Sequence, residues 1–148
     1  MTFNQKFTKY WLPVVLWMGF IFWMSGETFS SQHTASAVEK VVWLLIPGIS
    51  SETLELIHVS IRKAAHVSEY FILGLLNFRA FRGGSNTSWN WRWPLFALVV
   101  VVLCAVSDEF HQSFVPEREG SYVDVGIDTA GGLLAQVGSV LRHCYRKK

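Results

Sequence analysis

Charge is the scarcest ingredient of this chain: Asp, Glu, Lys and Arg make up only 16% of its 148 residues. A disordered segment is rich in charge and poor in apolar side chains, so disorder is excluded. The formal net charge of +2 provides no basic field for a nucleic-acid partner, and none is expected. Two cysteines are too few for a disulfide-stapled scaffold. Internal repeats, a phosphate-binding loop, a dinucleotide fingerprint and a serine-nucleophile motif are all missing. What remains is apolar: 51% of the residues are hydrophobic, 15% are aromatic, and seven are Trp. That composition points to a membrane, and the length allows one domain, residues 1–148.

A hydrocarbon core needs roughly 20 helical residues to cross it, and four stretches approach that length: 7–26, 64–82, 91–106 and 123–141. Backbone groups in lipid must bond internally, and the pattern does not suit a barrel, so each stretch reads as a helix. Pro13 and Pro94 fall near helix starts, where proline is tolerated, and Trp91 and Trp93 mark an interface. The fold class expected is all-α: a polytopic membrane protein with four transmembrane helices plus one or two short extracytoplasmic or interfacial helices.

Lys and Arg near span ends are retained on the cytoplasmic side. Lys6, Lys9, Arg79, Arg82, Arg92, Arg142, Arg146, Lys147 and Lys148 are nine of the thirteen basic residues, and all fall on one side of the four-span arrangement. The eleven acids lie between Glu27 and Asp128, on the other side or in the outer halves of the helices. Both termini are therefore expected in the cytoplasm, in a multi-pass protein of the cell inner (cytoplasmic) membrane. The rival reading of the N-terminus, a signal peptide cleaved near Ala35-Ser36-Ala37, fits poorly because Ala35 lies eleven positions beyond Met24 and Glu27 intervenes. Cys104 and Cys144 fall at opposite ends of their helices, so no bridge between them is expected.

Between the first two spans, Val38, Val41, Val42 and Leu45 recur at helical spacing until Pro47-Gly48 ends the run, a piece too short to span. Ser51 is the expected N-cap of the next helix, with Glu52 in its first turn and Leu54, Ile57 and Ile61 on one stripe. The stretch from Arg82 to Ser88 is a loop by composition.

Ionisable side chains within spans are costly and usually functional. Glu69 lies 13 residues from Arg82, Asp108 lies 16 from Arg92, and Asp128 lies 14 from Arg142. At 1.5 Å per residue these acids stand roughly 20 to 24 Å above the inner interface, with His66, Glu109 and Asp124 slightly higher. Helical steps put Arg62, His66, Glu69 and Tyr70 on one face, Asp108 and Glu109 with His111 and Gln112 on another, and Asp124 with Asp128 on a third. The expected geometry is a polar pocket open to the extracytoplasmic side. Below it, Ala130, Gly131, Gly132, Ala135 and Gly138 would let helices pack closely. Pairing of Arg62 or Lys63 with Glu69, or of His66 with an acid, would be structural glue between helices, but five acids outnumber Arg62, Lys63 and Arg118. His33, His58 and His143 read as surface side chains.

The run Arg62-Lys63-Ala64-Ala65-His66-Val67-Ser68-Glu69-Tyr70, then Ser107-Asp108-Glu109-Phe110-His111-Gln112-Ser113-Phe114-Val115-Pro116, then Arg118, Asp124 and Asp128-Thr129-Ala130-Gly131, resembles the VanZ-like family of small bacterial membrane proteins. The resemblance covers roughly residues 10–142, and its most specific part is the ordered series Glu109, Gln112, Arg118, Asp124 and Gly131. It implies a multi-helix protein of the cell envelope, and its naming member is linked to reduced susceptibility to the glycopeptide teicoplanin. Asp128 stands where the family more often has Asn, and Arg62-Lys63 where Asp-Lys is common.

Binding leads the functional readings. Lys63 and Arg118 would meet anionic groups of a lipid headgroup or cell-envelope ligand, and His66, Glu69, Asp108, Glu109, Gln112, Asp124 and Asp128 would complete the pocket. The partners expected are membrane lipids and such a ligand; no cofactor is expected. The alternative is a membrane-embedded hydrolase or transferase acting on a lipid-linked substrate. It would use either a metal on His66, Glu69, Asp108, His111 and Asp124, or a metal-free pair of His66 with Glu69 or Glu109. No ligand spacing fixes a metal geometry. A proton-coupled transporter is disfavoured, because the inner halves of the helices hold almost no ionisable groups beyond their arginines.

Overall fold

The computed structural model describes residues 2–26, 39–87, 89–114 and 120–146. Among the described residues there is no strand, in keeping with the all-α expectation. Four long helices carry the fold: α1 (Phe3–Met24), α2 (Ser51–Arg82), α3 (Arg92–Gln112) and α4 (Tyr122–Tyr145). Residues 39–45 form a short separate helix that ends before Pro47-Gly48, with Gly48 at a φ of 89°. Arg118 and the Ala35-Ser36-Ala37 triplet lie outside the described residues.

The start of α1 shows how a proline in an apolar helix is accommodated. Pro13 lacks an N–H, and its ring crowds the carbonyl four residues back, that of Lys9. The helix widens to a π-helical stretch over Phe7–Trp11, in which the Leu12 amide reaches back to the Phe7 carbonyl. The Lys9 carbonyl then accepts a hydrogen bond from Arg79 Nη2 of α2 at 3.2 Å. Arg79 is thus a structural donor as well as a terminal charge.

Two expected boundaries change. The N-cap of α2 is Ser50, not Ser51: Ser50 has extended backbone angles and its Oγ accepts from the Thr53 amide at 3.3 Å, while Ser51 is already helical. α3 runs on to Gln112, well past position 106, because Asp108 and Gln112 find buried partners that make continuation of the helix favourable. α2 ends on Gly83, whose φ of 53° is the left-handed geometry glycine adopts without penalty.

α2 and α4 form the closest pair in the bundle, and α3 packs on both. Small residues set that closeness. A Cβ on Gly131 would stand 2.5 Å from the Val67 carbonyl oxygen, and one on Gly74 would stand 2.9 Å from the Ala135 Cβ. Gly132 lies against Val101 of α3. Gln136 Nε2 ties the seam by donating to the Gly74 carbonyl at 3.1 Å. Gly138 and Ala130 do not belong to it: both are exposed, because they point away from the neighbouring helices.

The interior carries Tyr70, Leu73, Val101 and Ala105, but also Asn77, Asp108, Asp128 and Gln136, all buried. Outside, Leu16, Phe20, Trp23, Leu95, Phe96, Leu103, Leu133, Leu134 and Leu141 are exposed. Apolar surface of that extent needs a cover, which lipid supplies. Among the described residues, α1 and α3 alone are long and apolar enough to cross a membrane by length and composition. The expectation of four spans is therefore not met on hydropathy: α2 carries His66, Glu69 and Asn77, and α4 carries Asp124, Asp128 and Gln136, which lower their apolar character.

The C-terminal ends of α2 and α4 enclose a hollow of about 390 Å³ lined by Arg79, Arg82, Arg142 and Arg146. His143 stacks on Trp89 there, with ring centroids 4.6 Å apart and planes 21° apart. His143 and His58 are half-buried rather than ordinary surface histidines, because neighbouring side chains cover them. Cys104 is buried and Cys144 exposed, and both are free thiols.

Candidate functional site

At the other end of the bundle, α2, the end of α3 and the start of α4 surround a cavity of about 690 Å³. Arg62, Lys63, His66, Gln112, Ser121 and Asp124 are among its lining residues. The i+3 and i+4 steps of α2 present Arg62 and Lys63 at the lip and His66 below them, as the sequence spacing anticipates.

Beneath the cavity, His66 Nδ1 is 3.1 Å from Asp128 Oδ1, and Asp128 is fully buried. With Asp128 as a carboxylate, which can only accept, the imidazole proton sits on Nδ1. Glu109 Oε2 accepts a hydrogen bond from the Ser121 amide at 2.8 Å, so a carboxylate of α3 takes one of the orphan donors at the start of α4. Gly120 makes that approach feasible, since a Cβ there would stand 2.7 Å from the Glu109 carbonyl oxygen. Glu109 Oε1 and Asp128 Oδ2 are buried and have no hydrogen-bond partner among the described residues. His66, Glu109 and Asp128 each offer a donor atom, all within 4.8 Å of one another.

Asp108 serves a different purpose. Its Oδ2 accepts from Ser25 Oγ at 2.9 Å and from Gln112 Nε2 at 3.0 Å, which ties the end of α1 to α3. It still lies within electrostatic reach of His66, Glu109 and Asp128. Glu69 is half-buried and interacts electrostatically with His66, and its backbone carbonyl accepts from Trp17 Nε1 at 2.9 Å. Asp124 lies at the cavity wall one turn into α4, with its amide capped by Ser121 Oγ at 3.4 Å.

Of the nine residues singled out from sequence, Lys63, His66, Gln112 and Asp124 line the cavity, and Glu109 and Asp128 lie beneath it with His66. Asp108 is drawn toward α1, the Glu69 side chain interacts electrostatically with His66 while its backbone carbonyl accepts from α1, and Arg118 is outside the described residues. His111 is not brought into the group: it is exposed, with its ring 5.9 Å from that of Phe22. Ser25 and Ser121 were not anticipated. Ser121 carries a sequence signal, the Ser-x-x-Asp spacing of an N-terminal cap with Asp124. Ser25 carries none, because its partner is 83 positions away.

In chemical terms the lip offers cations to an anionic group, and the wall and floor offer carboxylates to amines, hydroxyls or a metal ion. The fold and site together define a helical bundle with polar groups turned inward and apolar side chains turned outward. Within that class, the chain belongs to the VanZ/LLP1 family, whose model matches residues 10–142. Family membership and the two apolar helices indicate a membrane protein. Neither a curated protein nor a solved structure matches the chain.

Proposed function

We propose that this protein is a four-span component of the bacterial cytoplasmic membrane whose extracytoplasmic cavity binds a lipid headgroup or a related cell-envelope ligand. The observation that carries the reading is the cavity itself: a volume of about 690 Å³ with Arg62 and Lys63 beside Asp124 and His66, next to helices that expose Leu and Phe. A charged headgroup fits the polar space while its acyl chains follow the apolar outer surface. α2 and α4 fall short on hydropathy because of their polar side chains, of which Asn77, Asp128 and Gln136 are buried in the bundle. The 32 residues of α2 reach about 48 Å, so its lower part crosses the membrane and its first turns stand above it.

Native mass spectrometry of protein extracted in mild detergent tests the binding. Wild-type protein should carry a discrete lipid or envelope ligand, and Lys63→Gln and Asp124→Asn should each weaken its retention about tenfold, the ratio for ~1.4 kcal/mol. Retention equal to wild type in both variants at equal folded amounts would refute the pocket. Through such a ligand the reading extends to glycopeptide susceptibility, which the same variants should alter when the producing strain is challenged with teicoplanin.

In the proposed orientation both termini are cytoplasmic and the arginine-lined hollow is at the inner face. Exposed Cys144 reports on it directly. A membrane-impermeant maleimide should leave Cys144 unlabelled in intact spheroplasts and label it after permeabilisation, with buried Cys104 unreactive in both. Labelling of Cys144 from outside would invert the topology.

A further inference from the structure

We propose that His66, Glu109 and Asp128 form a binding site for one divalent transition-metal cation of the Zn²⁺ or Mn²⁺ class at the floor of the outer cavity. The three residues come from α2, α3 and α4, far apart in the chain, and their donor atoms lie within 4.8 Å of one another. A cation with ligand distances of roughly 2.0 to 2.2 Å holds neighbouring donors about 3.3 Å apart. The His66 Nδ1 and Asp128 Oδ1 atoms already stand 3.1 Å apart; on ligation the ion takes the place of the Nδ1 proton, the imidazole adopts the Nε2–H tautomer, and side-chain torsion of Glu109 completes the set.

The second observation is independent of the clustering. Glu109 is 5% exposed and Asp128 0%, yet Glu109 Oε1 and Asp128 Oδ2 have no hydrogen-bond partner among the described residues. Buried carboxylate oxygens without a donor are costly, and the usual remedies are a paired base or a metal. Among the described residues the base paired with these carboxylates is a single imidazole, His66. Asp108 and Asp124 act electrostatically on both Glu109 and Asp128, which adds to the negative potential at the floor. A dication offsets that potential and gives the Glu109 and Asp128 carboxylates a partner that the described residues do not supply to Glu109 Oε1 and Asp128 Oδ2.

The surroundings suit ligation. The Ser121 amide holds Glu109 Oε2, which orients the carboxylate and leaves Oε1 free, the arrangement by which an outer partner positions a metal ligand. His66 also lines the cavity, so an ion has a path from the outside. One imidazole with two carboxylates favours Zn²⁺ or Mn²⁺ over Ca²⁺ and Mg²⁺, which take oxygen ligands. This donor set shares only His66 with what spacing selects together with Glu69, Asp108, His111 and Asp124. The inference does not depend on the headgroup reading, because an ion can bind with no lipid present.

The test uses the full chain, stripped with chelator in mild detergent and dialysed separately against ZnCl₂ and MnCl₂ with no lipid added. One ion per chain is expected for at least one metal, accompanied by a rise in the unfolding temperature. Glu109→Gln keeps an acceptor for the Ser121 amide and should bind at least about tenfold more weakly, as should His66→Gln. No bound ion for either metal at micromolar concentrations overturns the proposal, and so does binding in Glu109→Gln and His66→Gln as tight as in wild type. Wild-type protein supplies a measurement that needs no variant: saturating metal should protect His66 from diethyl pyrocarbonate, read by peptide mass spectrometry. Unchanged modification of His66 at saturating metal also refutes the site.

Discussion

Substitution of Gly131 by leucine should abolish the folded bundle, and even Gly131→Ala should lower stability by about 1–3 kcal/mol, the usual cost of overpacking. The reason is the identity of the neighbour. A Cβ at position 131 would meet the Val67 carbonyl oxygen at 2.5 Å and the Val67 carbonyl carbon and Cα at 3.2 Å, all backbone atoms of α2. A side chain in that place can rotate away, whereas helix backbone cannot, so α2 and α4 must separate. Separation also removes the Gln136 to Gly74 hydrogen bond and pulls His66 from Asp128. Gly138 provides the control: nothing lies within 4 Å of a Cβ there. Gly138→Ala should be neutral or gain up to about 1 kcal/mol from helix propensity. Unfolding midpoints in mild detergent distinguish the two positions, and equal midpoints for Gly131→Ala and wild type would mean that the seam is looser than described.

Asp108→Leu should cost about 2–4 kcal/mol, because it leaves buried donors on two helices without their acceptor. Ser25 Oγ and Gln112 Nε2 both lead to Asp108 Oδ2, and they are among the few polar ties that hold α1. Two more are the Trp17 indole on the Glu69 carbonyl and Arg79 on the Lys9 carbonyl. In lipid an apolar helix gains little from burying more apolar surface, so such hydrogen bonds and close packing carry the association. Hydrogen exchange should therefore rise through α1 in Asp108→Leu while the α2–α4 seam keeps its protection. Asp108→Asn retains a carbonyl acceptor and should lose less than half as much stability. Exchange in α1 unchanged by Asp108→Leu would show that α1 is held by packing alone.

These two expectations concern different parts of one arrangement. The glycine seam fixes how closely α2 and α4 approach, and that distance sets whether His66 meets Asp128. The Asp108 group fixes α1 against α3 and leaves Glu109, one position on, turned toward α4. Neighbouring acids on one helix thus divide the work: Asp108 holds the bundle together and Glu109 faces the start of α4, where the cavity and the proposed cation site lie.

Much of this was already legible in the order of residues. Periodicity marks the helices, and the spacing of Arg62, His66 and Glu69, or of Asp124 and Asp128, places polar groups on shared faces, because both features are local properties of a 3.6-residue turn. The motif series from Glu109 to Gly131 points to the family that the match over residues 10–142 establishes. Glycine at 131 and 132 indicates close packing. The sequence by itself therefore determined the helical class, the family and the set of residues available to the site. Which of five acids would face His66 was a tertiary decision. It depends on the rotation of each helix about its own axis, and that is set where Gly131 meets the Val67 backbone and Gly132 meets Val101. The same contacts send Asp108 to Ser25 and turn His111 outward. Among the described residues hydropathy alone marks α1 and α3 as apolar enough to span, because a residue scale cannot tell a carboxylate turned into a bundle from one turned outward, and packing makes that distinction.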